Sequence, residues 1–273
     1  MASLKPYGTP SSFRKAHGNL FSSNDLFFLK FTRVIDRIKS GEDEFRGACK
    51  IYDGGSFILC LLSSERCVLY SNSFHNGMVR KLADYLNRSK GLSMLIGSKN
   101  IVEAIAHWSK VEFLCDSNAV FYECVAISST FSITTGQMKN ACEIDINKLI
   151  SMSAKFKEEF TNGEERYAHD TSNVLGPIEN YYVWVVDNEV CAFVLFGKSD
   201  TKDPCIISIY TPLEFRNHGY ASSLLYEVTK KILEKKYRKV VLWTKERNMQ
   251  ARKVFEKVGY SFVQESLDLK VVR

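Results

Sequence analysis

The segment from Ile206 to Leu233, IISIYTPLEFRNHGYASSLLYEVTKKIL, constrains the fold of this chain more than any other part of its sequence. Its apolar start is typical of a buried strand, and the apolar residues of its second half recur with the spacing of one helix face. The loop 216–221 joins the two. A loop that leads directly into a helix presents several backbone N–H groups at the positive end of the helix dipole. The segment therefore predicts a site for a phosphate-bearing ligand.

The first half of the chain alternates between strand and helix patterns, which is typical of an α/β protein. A strand pair is expected within 50–70, because Asp53-Gly54-Gly55 is a turn signal between two apolar runs. The patterns also predict helices over 24–39, 79–87 and 99–108, and strands over 92–98 and 119–127.

The second half follows a Ser/Thr-rich stretch, 128–136, which we interpret as a linker. Asp187-Asn188 predicts the turn of a hairpin, and Gly259 is placed to end the last helix. The full prediction is a helix over 145–160, a hairpin of 181–186 with 190–196, strands over 205–210 and 240–244, helices over 222–235 and 248–257, and one or two strands over 262–272.

The net charge of +6 is concentrated at one end of the chain. Residues 206–273 hold 14 Lys and Arg against 7 Asp and Glu, whereas the first 205 residues hold 23 against 24. This surplus favours an anionic ligand near the loop, although the lysines at 230, 231, 235 and 236 also fit the solvated face of a helix. No basic stripe is interleaved with aromatic residues, so we expect no nucleic-acid partner.

Neither a membrane nor a secretory location is expected. Strongly apolar stretches such as Phe57–Leu62 are far too short to span a bilayer, and the first residues lack a signal-peptide core. The eight cysteines include no CxxC pair, and most lie in apolar runs. We expect reduced, buried thiols and neither disulfides nor a metal site, in a cytoplasmic protein.

Two motifs make the chain resemble the GNAT acetyltransferase superfamily. Its acyl-CoA loop, Q/R-x-x-G-x-G/A, stands here as Arg216-Asn217-His218-Gly219-Tyr220-Ala221. Its second motif, N-x-x-A-x-x-x-Y-x-x-x-G-F/Y, corresponds to Asn248, Ala251, Phe255, Gly259 and Tyr260. The resemblance implies the GNAT fold, with acetyl-CoA as co-substrate. It implies cofactor contacts from Ile209, Tyr210, Thr211, Arg216, Asn217, His218, Gly219, Tyr220, Ala221, Ser222, Asn248, Ala251 and Phe255.

A finer resemblance concerns the organisation of domains. The run IYTPLEFRNHGYASSL is similar to VYTPPEYRGKGYATAL of bacterial two-part GNAT proteins, whose first half is a degenerate GNAT-like domain. Residues 1–127 here contain no copy of the loop motif. We therefore expect a flexible N-terminus over 1–20, a degenerate GNAT-like domain over 21–128 and a catalytic GNAT domain over 138–273.

The resemblance leaves the catalytic groups unidentified. It implies that a backbone N–H near Thr211 holds the thioester oxygen, and that Asn248 binds the pantetheine arm or caps its helix. Many members have a tyrosine acid where this chain has Phe255, which cannot donate a proton. Either another group protonates the thiolate, or it leaves unassisted, or the protein is a weak or inactive catalyst. Base candidates, each also readable as a solvated surface group, are His169, Glu179, Glu189 and Glu214.

The resemblance implies direct transfer of an acetyl group from acetyl-CoA to a primary amine of a small molecule. Three alternatives are a glycine N-acyltransferase-like enzyme, a non-catalytic acyl-CoA-binding sensor and a protein N-acetyltransferase. The expected partners are acetyl-CoA and an amine acceptor, and a homodimer is one alternative for the oligomeric state.

Overall fold

A computed structural model describes residues 2–21, 26–88, 92–109, 111–161, 177–198 and 203–272. The chain divides into two compact units. Unit 1 comprises Met1–Phe121, Thr244–Arg247 and Val263–Arg273, and unit 2 comprises Tyr122–Trp243 and Asn248–Phe262. Within the described ranges, no helix is both long enough and apolar enough to cross a membrane.

Unit 1 is built on a sheet that starts with four antiparallel strands. Strands β1 to β4 pair in chain order, and β4 then pairs in parallel with β5. On the other edge of β5 lies β12, which is antiparallel to it. The elements are β1 (Ser3–Tyr7), α1 (Pro10–Ala16), α2 (Gly18–Phe21), α3 (Leu26–Ser40), β2 (Phe45–Asp53), β3 (Ser56–Ser63), β4 (Arg66–Ser73), α4 (Asn76–Asn87), β5 (Met94–Ser98), α5 (Lys99–Trp108), β6 (Phe113–Cys124, which ends in unit 2) and β12 (Ser261–Val271).

Successive side chains of β3 pack against helices on opposite faces of this sheet. Ile58 and Cys60 belong to a core with residues of α4 and α5, whereas Leu59 and Leu61 belong to a second core with residues of α1 and α3. Successive side chains of a strand point to opposite faces. An apolar run with no polar residues at alternate positions is therefore the pattern of a strand covered by helices on both sides.

The N-terminal segment differs from the expectation of a flexible 1–20. Strand β1 pairs with β2. Thr9 caps α1, because its hydroxyl accepts a hydrogen bond from the Ser12 N–H while the Ser12 hydroxyl accepts one from the Thr9 N–H. Phe13 is fully buried in the aromatic cluster of unit 1. The Ser, Gly and Pro residues thus serve as a helix start rather than as a disordered tail, because Thr9 caps the helix and Pro10 fits its first turn.

His17 makes the stability of unit 1 sensitive to acid. Its ring is buried, and Nε2 lies 3.0 Å from the Tyr7 hydroxyl. Burial, with the charges of Lys50 and Lys5, lowers the pKa of His17 to about 4. Between pH 6.5 and 4 the unfolded chain therefore binds more protons at this residue, and stability falls as the pH falls.

We expect urea unfolding of the wild type to lose about 2 kcal/mol between pH 7 and pH 5 through this one group. His17→Gln removes that loss, so its stability changes correspondingly less over the same interval. His107→Gln, at an exposed histidine, is the matched control and should keep the wild-type slope. Equal pH slopes in all three proteins would contradict the assignment.

The cysteines follow the expectation in most cases. All eight are free thiols, and six are buried among apolar side chains, whereas Cys115 and Cys142 are exposed. Those two lie outside the cores because neither occurs within an unbroken apolar run.

Unit 2 repeats this plan. Strands β7 to β10 are antiparallel neighbours, and β10 is parallel to β11. Asp187 and Asn188 have positive φ values of 47° and 64°, as the two-residue hairpin turn between β8 and β9 requires. The elements are β7 (Gln137–Asn140), α6 (Ile146–Thr161), β8 (Tyr181–Val186), β9 (Glu189–Lys198), β10 (Pro204–Tyr210), α7 (Tyr220–Glu234), β11 (Val240–Lys245) and α8 (Met249–Val258), with β12 following.

The two halves of the chain share one order of elements. Each has a strand, one or more helices and three further antiparallel strands, followed by a helix that leads to a parallel strand, then a second helix and a last strand. In the first half these closing elements are α4, β5, α5 and β6, and in the second they are α7, β11, α8 and β12. The predicted mixed α/β architecture is confirmed.

Candidate functional site

The site in unit 2 begins where β10 separates from β11. The described residues of these parallel strands register at Cys205 with Val241, and β10 continues to Tyr210 without further pairing to β11. Its register with β9 shifts between Ile206 and Ser208, which marks a bulge. Bulges increase the local twist and end regular pairing. The last residues of β10 therefore present an unpaired backbone edge on the side that faces β11.

The loop after β10 opens the N-terminus of α7. Gly219 precedes the helix with φ +80° and ψ 5°, in the left-handed region that favours glycine. No side chain of the described residues caps this helix start. The N–H groups of Tyr220, Ala221 and Ser222 are therefore free of the capping bonds that usually satisfy them. Together with the helix dipole they form a place for an anion.

The strand edge and the helix start meet at one cleft. Its volume is about 610 Å³. The walls come from the end of β10, the loop, the start of α7, α8 and one face of α6. The lining residues are Phe156, Glu159, Ile209, Tyr210, Thr211, Phe215, Arg216, Asn217, Gly219, Tyr220, Ala221, Ser222, Asn248, Gln250, Ala251, Lys253, Val254 and Phe255. All the predicted cofactor residues except His218 are among them.

His218 lies on the outside of the loop. It is exposed, and its ring stacks on that of Tyr220 with 5.3 Å between centroids and an interplanar angle of 12°. Its Nδ1 lies 2.8 Å from the Arg216 carbonyl oxygen and donates to it. The His218 side chain therefore supports the loop. Only the backbone of His218 is still predicted to contact a ligand.

A three-residue network supports the loop from α6. Glu159 accepts a hydrogen bond of 2.6 Å from the Tyr210 hydroxyl and pairs through its other oxygen with the Arg216 guanidinium. Arg216 Nε also donates to the Thr211 carbonyl, at 3.0 Å. Through these bonds Arg216 holds the loop in place, and its expected contact with the cofactor stays a prediction.

The network fixes the ionisation of its members. Burial would raise the pKa of Glu159, but the hydrogen bonds from Tyr210 and Arg216, with the Arg216 charge, hold it below its usual value. Burial and the neighbouring Glu159 carboxylate raise the pKa of Tyr210 to about 12. Near neutral pH the cleft therefore contains a carboxylate held by a protonated tyrosine and an arginine.

The opposite wall of the cleft comes from α8. Asn248 caps this helix, because its Oδ1 accepts from the Ala251 N–H at 3.1 Å. Phe255 is 2% exposed and packs edge-on against Tyr122, with 5.6 Å between ring centroids. Tyr260 is also buried, and its hydroxyl lies 2.8 Å from Thr229 Oγ1. Tyr260 is thus a packing residue, and Phe255 brings no hydroxyl to the cleft.

The candidate bases that the structure describes do not line the cleft. Glu214 pairs with Lys155 at 2.8 Å, and Glu189 lies 3.6 Å from Lys148, both at exposed positions. Glu179 is exposed on a short 3-10 turn. His169 lies outside the described residues. The carboxylate that the described structure does place in the cleft is that of Glu159.

Sequence reasoning missed part of the lining. The missed residues are Phe156, Glu159, Phe215, Gln250, Lys253 and Val254. Those on α8 alternate with motif residues, so their helical spacing could have found them. The α6 residues gave no such signal, since nothing local shows that this helix packs beside the loop.

The corresponding helix of unit 1 has a capped N-terminus. Helix α4 follows β4 as α7 follows β10, but the Nδ1 of His75 caps it by accepting from the Gly77 N–H at 3.2 Å. The anion-binding arrangement described for α7 is therefore not repeated at α4.

A comparison with protein families agrees with the two motifs. A family model described as "Acetyltransferase (GNAT) family" matches residues 148–260. Residues 148–260 are a GNAT acetyltransferase domain. This range of the GNAT domain includes the loop, α7, α8 and all the lining residues of the cleft.

Solved structures extend the likeness to the whole chain at the level of fold. An acetyltransferase of the GNAT family from Colwellia psychrerythraea is 11% identical with a TM-score of 0.56, covering 99% of this chain and 100% of that one. A GCN5-related N-acetyltransferase from Sphaerobacter thermophilus is 11% identical with a TM-score of 0.57, covering 100% and 96%. A Drosophila protein is 10% identical with a TM-score of 0.52, covering 98% of each. No curated protein sequence matches the chain.

The predicted GNAT fold is confirmed by these comparisons. The repeated order of elements also supports the tandem arrangement, with the loop motif in the second half alone. The GNAT domain supports an acyl-CoA-dependent N-acetyltransferase in general.

Proposed function

We propose that this protein transfers an acetyl group from acetyl-CoA directly to a primary amine of a small molecule. One observation carries the proposal. The unpaired edge of β10 and the uncapped N-terminus of α7 meet in a single cleft within the GNAT domain. The first can pair with the amides of an extended pantetheine arm, and the second can hold a pyrophosphate.

Most of the predicted contacts have a role in this proposal. Backbone groups of Ile209 and Thr211 pair with the pantetheine arm, and the N–H groups of 219–222 receive the pyrophosphate. Asn248, Ala251 and Phe255 form the wall across the splayed strands. Arg216 acts indirectly, because its guanidinium is held by Glu159 and by the Thr211 carbonyl.

The chemistry is a nucleophilic acyl substitution. The amine nitrogen forms a bond to the thioester carbonyl carbon, the C–S bond breaks, the thiolate leaves and the amine loses a proton. A backbone N–H near Thr211 would stabilise the oxyanion. A coenzyme A thiol has a pKa of about 8.5, as other thiols do, so it can leave without an acid.

The proposal is tested by release of free CoA. Acetyl-CoA and a panel of primary amines, including amino acids and polyamines, are incubated with the protein and the thiol is measured. Amine-dependent release supports acetyl transfer. A parallel series of acetyl-, butyryl- and benzoyl-CoA separates an acetyl-specific enzyme from a glycine N-acyltransferase-like one, and a lysine-bearing peptide tests the protein-acceptor alternative.

A second candidate is a non-catalytic acyl-CoA-binding protein, which Phe255 favours. A buried phenylalanine stands where a tyrosine acid is common in the family. Of the predicted bases, the three that the structure describes, Glu179, Glu189 and Glu214, do not line the cleft. This candidate predicts acetyl-CoA binding without thiol release for every amine in the panel.

Replacing Phe255 with tyrosine should raise turnover on the order of tenfold, because general acids contribute about 10²–10⁴-fold in favourable geometry. Phe215→Tyr adds a hydroxyl elsewhere on the cleft wall and is the matched control. Steady-state CoA release is the measurement. An unchanged rate for F255Y would mean that the leaving thiolate needs no proton donor.

We also propose that the first half is a degenerate copy without a cofactor site. Its sequence lacks the loop motif, and His75 caps the helix start that would hold a pyrophosphate.

The eight free thiols fit a reducing compartment, which supports a cytoplasmic location. Sedimentation at micromolar concentration distinguishes a monomer from the homodimer alternative.

A further inference from the structure

The stretch 128–136 forms a strap that packs against α7 and α8, all within unit 2. At its start the Ser128 N–H donates to the last carbonyl oxygen of α8, at 2.9 Å. Further along, the Phe131 ring stacks on Tyr226 of α7, with 4.7 Å between ring centroids and an interplanar angle of 16°. The Lys257 ammonium of α8 lies 5.4 Å from the centre of the same Phe131 ring. The strap is therefore held between two helices that also form walls of the cleft.

The strap also bonds to the first turn of α7. The Thr134 N–H donates to Ser223 Oγ at 3.0 Å, and Ser223 is 1% exposed. The next residue, Thr135, accepts a hydrogen bond of 3.0 Å from the Trp184 indole of β8. Neither Ser223 nor any residue of the strap, all of which the structure describes, lines the cleft. The strap therefore holds the helix start without contributing to the wall of the cleft.

The bond to Ser223 can stabilise the start of α7 where a cap is missing. A helix start is usually held by a side chain that accepts hydrogen bonds from its first N–H groups. Gly219 has no such side chain, and a cap would occupy the N–H groups that receive the pyrophosphate in the proposed function. The bond from Thr134 instead fastens the first turn through a side chain, so it uses none of the N–H groups of 220–222.

The anion-binding stretch lies between two fastened positions. On one side, Arg216 is held by Glu159 and by the Thr211 carbonyl. On the other side, Ser223 is held by the strap. The N–H groups between these positions are therefore fixed in direction before a ligand arrives, which lowers the conformational entropy lost on binding.

We propose that the strap sets the affinity of the anion site by holding the first turn of α7 through Ser223, an inference that rests on the proposed function. Ser223 and Phe131 are positioning residues, since neither lines the cleft. Phe131 holds the strap between the helices, and Ser223 transmits its position to the helix start. The segment that joins the two halves of the chain thus acts on the cofactor site without contacting the cofactor.

The test compares two variants of the full chain with two controls. Ser223→Ala removes the acceptor of the strap's hydrogen bond, and Phe131→Ala removes the ring that holds the strap. Thr229→Val, the first control, removes another buried hydroxyl of α7, which lies 2.8 Å from the Tyr260 hydroxyl and six residues beyond Ser223. Ile133→Ala, the second control, shortens an exposed side chain of the strap itself.

Two properties of each protein are measured. The urea midpoint is determined without ligand. Dissociation constants are determined for acetyl-CoA and for inorganic pyrophosphate, which carries the phosphates without the pantetheine arm. Binding is measured at a temperature at which every variant is folded, so a loss of stability by itself does not change these constants.

We expect Ser223→Ala and Phe131→Ala to weaken the binding of both ligands about fivefold, because the helix start is no longer held. The loss should be equal for the two ligands, since the site for the phosphates is loosened. Thr229→Val should lower the urea midpoint as Ser223→Ala does, yet bind both ligands within about twofold of the wild type, because distant sites without shared partners act independently. Ile133→Ala should match the wild type in both measurements.

Two results would overturn the inference. Wild-type affinities in Ser223→Ala would show that the strap serves stability alone. An equal loss of affinity in Thr229→Val would show that any loosening of α7 has the same effect. If Ser223→Ala does not fold, the comparison of Phe131→Ala with Ile133→Ala decides in the same way.

The two ligands keep this inference distinct from the proposed function. A wild type that binds pyrophosphate but not acetyl-CoA would contradict the proposed function, and the pyrophosphate constants would then decide on the strap. A wild type that binds neither ligand would overturn both.

Discussion

Replacing Gly219 with glutamate is expected to weaken acetyl-CoA binding at least a hundredfold. Gly219 lies directly before α7 and lines the cleft. A glutamate there places a carboxylate beside the free N–H groups of the helix start, where it competes with the pyrophosphate and repels its charge. A Cβ at this position meets nothing nearer than the Thr134 side chain at 3.8 Å, so the substitution is not blocked by packing.

The measurement is titration calorimetry with acetyl-CoA, using two controls. Gly54→Glu introduces the same residue at another open glycine of positive φ, in the hairpin between β2 and β3, and should bind as the wild type does. Gly219→Ala carries the backbone strain without the charge and should keep most of the affinity. Normal binding by G219E would show that the loop does not receive the pyrophosphate.

Replacing Gly259 with alanine is expected to destabilise the protein by about 3 kcal/mol or more. Gly259 ends α8 with φ +116°, which strains any residue that has a Cβ. An added Cβ would lie 2.7 Å from the Ser128 nitrogen and 2.9 Å from the Ala126 carbonyl oxygen. Both contacts are with backbone atoms, so neither can be relieved by a side-chain rotation.

Urea unfolding measures this effect, and Gly41→Ala is the matched control. Gly41 follows α3 with φ +79°, but an added Cβ there has no neighbour within 4 Å. We expect a loss of about 1 kcal/mol for G41A, from backbone strain alone. Similar losses for both variants would mean that the backbone at Ser128 does not pack against α8 as described.

The order of elements was predictable because its signals are local. The turns at Asp53-Gly54-Gly55 and Asp187-Asn188 and the helix end at Gly259 depend on φ values that few residues adopt. The predicted helix over 99–108 has those bounds in the structure, and the last strand is a single strand. These features follow from residues close together in the chain, which a single sequence displays.

The network around Glu159 and the order of strand β1 depend on contacts between residues that are distant in the sequence. Nothing local to Glu159 shows that it meets Tyr210 and Arg216, which lie more than 50 residues later. The strand β1 looked like a polar tail because its order comes from pairing with β2. The motifs named residues of the loop and of α8 that line the cleft, whereas the contribution of α6 required the structure.

The proposed function depends on acetyl-CoA binding to the cleft of the GNAT domain. The most direct test is thermal unfolding with and without the ligand. Acetyl-CoA at about one hundred times its dissociation constant should stabilise the protein by about 2.7 kcal/mol, which raises the melting temperature by about 5 °C or more. An unchanged melting temperature at millimolar acetyl-CoA, with the wild type folded, would contradict the assignment of the cleft as its binding site.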